Sequence, residues 1–169
     1  MSDCAISHAP ESVVDLKSGY HQRLDRLERE MVKYPWVVMP VTHRFTPGLY
    51  IREIFMPAGT ILTSKIHKTE HPFVISAGCL DVLMEDGVWV HMRAPHTGIT
   101  KPGTRRVLRI IEDTIWTTFH PTDETDVEKI EAAIIEKHDE HLGLTGDEVR
   151  ALRELQFCSN KPALEEVNK

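Results

Sequence analysis

Two histidines, His67 and His71, stand four residues apart in a β-forming stretch that a glycine closes at each end, Gly59 and Gly78. Neutral imidazole nitrogens are good ligands for Zn, Fe, Ni, Mn or Cu ions. On extended chain with a short turn, both rings and Lys65 share one face, since all three positions are odd-numbered. The pattern therefore predicts half of a divalent-metal site.

The same residues also match H-x-x-E-H, the pattern of inverted zinc peptidases, which needs both histidines on one face of a helix. Pro72 follows the motif directly, and proline disfavours a helix there. The extended interpretation is therefore favoured. Glu70 is a candidate catalytic residue, because an acid beside two histidines can ligate an ion or act as a base on bound water. Strand parity points it outward, which favours a surface pair with Lys68.

His120 ends the last long predicted strand and is the candidate third metal ligand. Its direction depends on the connection before that strand. A two-residue turn at Glu112-Asp113 places His120 on the outer face, whereas a turn of odd length places it inside. The sequence leaves both possibilities open.

Lys65 and Arg106 are candidate ligand-binding residues. If either faces inward it is a buried cation, and an unpaired one costs several kcal/mol. Each then needs a carboxylate or an anionic ligand, and arginine suits carboxylate or phosphate. Glu53, on a neighbouring predicted strand, is an internal carboxylate that would remove this need. The cations therefore predict a site for a small anionic molecule, with Glu53 as the alternative partner.

The periodicity of the chain predicts a mainly β domain between helices. Apolar residues recur at helical spacing from Asp15 to Lys33, and short β-forming runs with Pro-Gly, Ala-Gly and Asp-Gly turns follow from Trp36 to Pro121. Hairpins are predicted at 80–91, with a type I′ turn, and at 106–119. Two helices are predicted after the strands, one capped by Thr125/Asp126 and running to about His138, the other at 145–157. Several short strands indicate a sandwich or barrel.

Composition narrows the class of protein. The net charge of −6 argues against a nucleic-acid binder, and the excess acid lies in 121–169, which carries 6 Lys/Arg against 13 Asp/Glu. Three cysteines without a Cys-x-x-Cys pair favour a reduced, cytoplasmic protein. No secretory leader and no apolar run of membrane-spanning length is evident, so no membrane association is expected.

The stretch 59–78 resembles the first motif of the cupin superfamily, G-x5-H-x-H-x3-E-x6-G, without a gap. Lys65 stands at the first histidine position, His67 at the second and His71 at the glutamate position. In the second motif, Arg106 stands where the metal-binding histidine belongs. The segments 94–106 and 112–122 also resemble small uncharacterised cupin-type proteins of tailed phages and prophages.

The resemblance implies a mainly β, cupin-like jelly-roll barrel, homodimeric and working in a bacterial cytosol. The barrel would span 36–121, with an N-terminal arm and helix in 1–35 and an acidic helical extension in 122–169. One hypothesis is a metal-dependent enzyme of dioxygenase, isomerase or hydrolase type, with Fe, Ni, Zn or Mn held by His67, His71 and His120. The alternative is a metal-free cupin that binds a small anion or sugar, or a structural dimer module.

Overall fold

The computed structural model describes residues 13–137, and the side chains of 19–137. Two antiparallel sheets face each other across an apolar core, one of five strands in the order β1-β2-β9-β4-β7 and one of four in the order β3-β8-β5-β6. The strands are β1 Val41–Thr46, β2 Leu49–Met56, β3 Ile61–Thr63, β4 His71–Ala77, β5 Cys79–Leu83, β6 Trp89–Arg93, β7 His96–Thr100, β8 Val107–Ile110 and β9 Thr114–Pro121. The predicted mainly β, cupin-like jelly-roll fold is confirmed.

The core between the sheets follows the alternation of apolar residues along the strands. Ile75, Leu80 and Val82 have no exposed surface, and Ile110 is 1% exposed. Because successive strand residues point to opposite faces, each of these strands sends every second side chain into the core. The core fills one end of the space between the sheets, and the polar residues described below occupy the other.

Two helices flank the strands. Helix α1, Val13–Met31, packs Tyr20 and Leu24 against Val107, and the Tyr20 hydroxyl donates to the Leu83 carbonyl at 3.2 Å. Helix α2, Val127–Ile134, is capped by the Asp126 side chain, as predicted. It is shorter than predicted, since the chain is already extended at Ile135. The predicted helix at 145–157 lies outside the described residues.

The hairpin predicted at 80–91 is confirmed as β5–β6, but its turn is not type I′. A type I′ turn needs positive φ at both central residues, and among the described residues only glycines have positive φ. The Gly87 amide donates to the Met84 carbonyl at 2.9 Å, and Gly87 has a φ of 84°. This is a three-residue loop that ends in a left-handed glycine.

The hairpin predicted at 106–119 is wrong. Strand β8 pairs with β3 and β5 in one sheet, whereas β9 pairs with β2 and β4 in the other. The Glu112-Asp113 connection therefore crosses between the sheets. It passes so close to Gly78 that a Cβ there would lie 2.2 Å from the Asp113 carbonyl oxygen, so this position requires glycine. No helix among the described residues is long and apolar enough to cross a membrane.

Candidate metal centre

Strand pairing brings His71 and His120 together. His71 begins β4 and His120 lies near the end of β9, and these neighbouring strands pair Phe73 with Thr118. The two histidines lie two residues before Phe73 and two after Thr118, so they share the inner face of the sheet. Both are almost fully buried, at 2% and 1% exposure.

His67 lies in the segment between β3 and β4, and backbone hydrogen bonds hold it from two sides. The Gly103 amide donates to the His67 carbonyl at 2.8 Å. On the other side, the Lys68 amide donates to the Ile134 carbonyl at 2.8 Å, and the Glu136 amide to the Ile66 carbonyl at 2.9 Å. The end of α2 and the turn before β8 therefore position this histidine together.

The three imidazole rings form one compact cluster. Ring centroids are 4.2 Å apart for His67 and His71, 4.5 Å for His71 and His120, and 5.5 Å for His67 and His120. Each residue offers one ring nitrogen, and these three atoms lie within 4.8 Å of one another. Within residues 19–137, these three histidines are the group of potential ligand side chains arranged to hold a metal ion.

Hydrogen bonds assign a free lone pair to two of the rings, His71 and His120. His71 Nδ1 donates to the Thr69 carbonyl at 3.2 Å, which leaves Nε2 to coordinate. His120 Nε2 lies 3.1 Å from the Thr118 hydroxyl, and its Nδ1 is buried without a hydrogen-bond partner among the residues that the structure describes. The same is true of His67 Nδ1 within residues 19–137. Buried polar atoms are normally satisfied, so two orphaned nitrogens in one cluster fit an absent ligand.

The donor set fits a divalent ion. Three neutral imidazoles are a ligand set that catalytic zinc sites use, with further positions open to water or substrate. A point equidistant from three nitrogens at the largest spacing lies roughly 2.8 Å from each, against about 2.0–2.1 Å for a zinc–nitrogen bond. Each ring therefore needs to move by less than about 1 Å.

The surroundings keep these rings neutral, which metal binding requires. Burial, with the neighbouring histidines, lowers the pKa of His67 to about 3. Burial and the charge of His71 lower the pKa of His120 to about 4. Burial also lowers the pKa of His71, against the opposing hydrogen bond to Thr69. Near neutral pH the cluster is therefore ready to bind a cation without first losing protons.

The lowered pKa values predict how stability depends on pH. The unfolded chain takes up protons on its histidines below about pH 6.5, whereas folded His67 and His120 resist protonation down to about pH 3 and pH 4. We expect the free energy of unfolding of metal-free protein to fall between pH 6.5 and pH 4, by up to about 1.4 kcal/mol per pH unit for each histidine. Urea unfolding at pH 7 and pH 5 measures this. His120→Gln should show a smaller fall, and an equal fall would contradict the assignment.

Arg106 lies beside the cluster and is 8% exposed. Its Nη1 donates to the Thr100 hydroxyl at 3.4 Å, and Thr100 pairs directly with His71 across β7 and β4. Its Nε is buried and has no hydrogen-bond partner in the described part of the chain. Burial lowers the pKa of Arg106, although the charge of Glu85 opposes this. Within residues 19–137, no carboxylate lies at ion-pair distance from Arg106.

Glu53, the internal partner considered for these cations, is on the outer side of its sheet. It pairs with Arg44 at 3.3 Å and accepts from the Thr117 hydroxyl at 3.4 Å. Thr117 alternates with Thr118 and Trp116, which face inward. Glu53 therefore does not neutralise Arg106.

The other two sequence candidates lie at the surface. Lys65 pairs with Glu131 of α2 at 3.4 Å, and its side chain is 45% exposed. The Glu70 carboxylate is 50% exposed and pairs with Lys101. The cluster able to hold an ion does not include Glu70.

Two residues near the cluster were missed by the sequence analysis. Tyr50 of β2 is fully buried, stacks on His120 with centroids 5.9 Å apart, and shares a 2.6 Å hydrogen bond with His43. Burial raises its pKa to about 12. Arg52, two residues further on, lowers the pKa of His67 and His120 through its charge. In the sequence, Tyr50, Arg52 and Ile54 alternate with other residues, which indicates that they share one face of the strand. The sequence does not show whether that face is the buried one.

No family model matches the chain, and no curated protein matches its sequence. Solved structures with a similar fold include the cupin domain of Cnp3 from Schizosaccharomyces pombe, at 20% identity and a TM-score of 0.43, covering 57% of this chain and 68% of that one. A Cupin_2 domain of an XRE family regulator from Enterobacter cloacae has 17% identity and a TM-score of 0.42, covering 51% of this chain and 100% of that one. These structural neighbours are cupin-domain proteins. At this level of similarity they assign no ligand or reaction here.

Proposed function

We propose that this protein binds one divalent metal ion through His67, His71 and His120 and is a metal-dependent enzyme acting on a small anionic molecule. The observation that carries the proposal is the cluster of three neutral imidazoles, in which His67 and His120 each bury a ring nitrogen that has no hydrogen-bond partner among the described residues. Within residues 19–137 three histidines supply the ligands, which leaves coordination positions open, as in catalytic rather than structural sites. Iron, nickel, zinc and manganese all accept imidazole ligands.

The residues of the site have three different roles in this proposal. His67, His71 and His120 hold the ion, which when bound acts as a Lewis acid on a carbonyl or phosphoryl oxygen or lowers the pKa of bound water. Thr69 and Thr118 fix the orientation of two of these rings by hydrogen bonds, as outer-shell partners do in metal sites. Arg106 attracts and orients the anionic group of the substrate.

The burial of Arg106 supports its assignment to a ligand. A buried guanidinium that no described carboxylate pairs with lowers the stability of the fold, and an apolar side chain of similar size would be more stable there. Its presence is therefore better explained by ligand binding than by stability. Four expectations from the sequence stay predictions: the homodimer, the cytoplasmic location, the phage-type relationship and the catalytic role of Glu70.

The test combines metal loading with the substitution Arg106→Met. Protein stripped with a chelator and titrated with zinc or iron should bind about one equivalent. Arg106→Met should keep this ion and match or exceed the parent's stability to urea, yet bind a probe such as acetate at least about 10-fold more weakly. Absence of metal binding in both titrations would overturn the metal assignment. Unchanged acetate affinity would overturn the role of Arg106.

A further inference from the structure

A second arginine, Arg52, lies on the same inner face as the histidines. On β2 it pairs directly with His43 of β1 and with Thr118 of β9. Directly opposed residues of antiparallel strands project to the same side of a sheet. The Thr118 hydroxyl donates to the Arg52 carbonyl at 3.4 Å and contacts His120 Nε2 at 3.1 Å. Arg52 is therefore placed one strand away from His120.

Arg52 makes no ion pair with any residue that the structure describes. Two acidic residues of neighbouring elements have other partners, since Glu53 pairs with Arg44 on the outer face and Glu131 pairs with Lys65. Arg52 is half-buried. Like Arg106, it is a permanent positive charge on the inner face without a described carboxylate to balance it.

The two arginines approach the cluster from different segments, Arg52 from β2 and Arg106 from the turn before β8. Arg106 contacts Thr100, which pairs with His71, whereas Arg52 pairs with Thr118, which contacts His120. In the sheet order β2-β9-β4-β7, the strands that carry His120 and His71 lie between the strand of Arg52 and the strand of Thr100. The cluster therefore lies between two separate cationic points.

We propose that Arg52 and Arg106 bind the two ends of one ligand, so that the site selects a small dicarboxylate over a monocarboxylate. This deepens the proposed function and rests on its assignment of an anion-binding site. A divalent ion held by His67, His71 and His120 would add further positive charge, and two carboxylates would balance the total charge better than one. We expect a single compact anion such as phosphate to contact only one arginine at a time.

Binding of malonate, succinate and glutarate should be compared with that of acetate and propionate by calorimetry, at constant ionic strength. We expect the best dicarboxylate to bind at least about 10-fold more tightly than either monocarboxylate, as a second charge-assisted contact implies. Arg52→Gln should remove that advantage and leave acetate affinity within about 2-fold. Arg44→Gln is the matched control, because Arg44 lies on the outer face. This substitution should change neither the dicarboxylate advantage nor the acetate affinity.

Three results would overturn the inference. The first is equal affinity of mono- and dicarboxylates in the parent protein. The second is an equal loss for both classes in Arg52→Gln, which would show a general effect of charge. The third is phosphate binding as tightly as the best dicarboxylate. Titrations of zinc-loaded and metal-free protein distinguish failure of the dicarboxylate inference from failure of the proposed metal site. Absence of zinc binding overturns the metal assignment alone, whereas the dicarboxylate advantage in metal-free protein tests Arg52 independently.

Discussion

Replacing His120 with alanine is expected to lower the affinity for a divalent ion by more than about 100-fold, since loss of outer-shell partners alone typically costs 10–100-fold. His120 is 1% exposed, and none of the described residues hydrogen-bonds to its buried Nδ1. With two imidazoles left, the ion loses one of three protein ligands, and burial prevents a surface residue from replacing it. Competition with a chromophoric chelator measures the change.

The control for this substitution is His91→Ala. His91 lies on β6 of the other sheet, is 54% exposed and pairs with Asp81 at 2.7 Å. Its loss should leave metal affinity unchanged. His71→Ala should resemble His120→Ala, because both rings belong to the cluster. Metal affinity within about 3-fold of the parent in His120→Ala, in protein that unfolds cooperatively, would show that the ion is not held there.

Replacing Arg105 with methionine is expected to lower the free energy of unfolding by about 3–5 kcal/mol, the usual cost of breaking a buried ion pair from one side. Arg105 is 1% exposed and contacts two carboxylates of α1, Asp25 at 2.5 Å and Glu28 at 2.8 Å. It also donates to the His21 carbonyl at 3.3 Å. Without the guanidinium, two largely buried carboxylates lie side by side. Urea unfolding at pH 7 measures the loss.

Two further variants separate charge from packing. Arg109→Met removes an arginine that is 53% exposed and pairs with Asp81, and it should cost less than about 1 kcal/mol. The triple change Arg105→Met, Asp25→Asn, Glu28→Gln should recover most of the stability, because it leaves no buried charge unpaired. If the triple variant is as unstable as Arg105→Met alone, lost packing rather than unpaired charge explains the effect.

Local patterns in the sequence determined the elements. Apolar residues at helical spacing predicted α1, and the cap at Asp126 marked the start of α2. Alternating β-forming residues predicted the strands, and the Asp-Gly turn predicted the β5–β6 hairpin. These features depend on neighbours within a few residues, so they can be deduced without the fold. For the same reason, the spacing of His67 and His71 was sufficient to bring those two rings together as a hypothesis.

The direction of His120 depended on tertiary structure. The sequence made it conditional on the Glu112-Asp113 turn of a hairpin, but β8 and β9 are in different sheets. Pairing of β9 with β2 and β4 determines the face instead, because it places Tyr50 opposite His120 and Phe73 opposite Thr118. A period of two in a strand defines two faces, and only the neighbouring strands decide which one is buried.

The environment of the charged residues also depended on tertiary structure. Arg105 and Arg106 are adjacent, yet one pairs with α1 and the other faces the histidines. Lys65 shares its parity with His67, but it lies outside a regular strand and pairs with Glu131 of α2. Arg52 was missed because a charged residue in a strand ordinarily faces water. The sequence by itself thus determined which residue types and elements were present. Packing of the sheets and helices decided which charges became buried, because burial depends on partners distant in the chain.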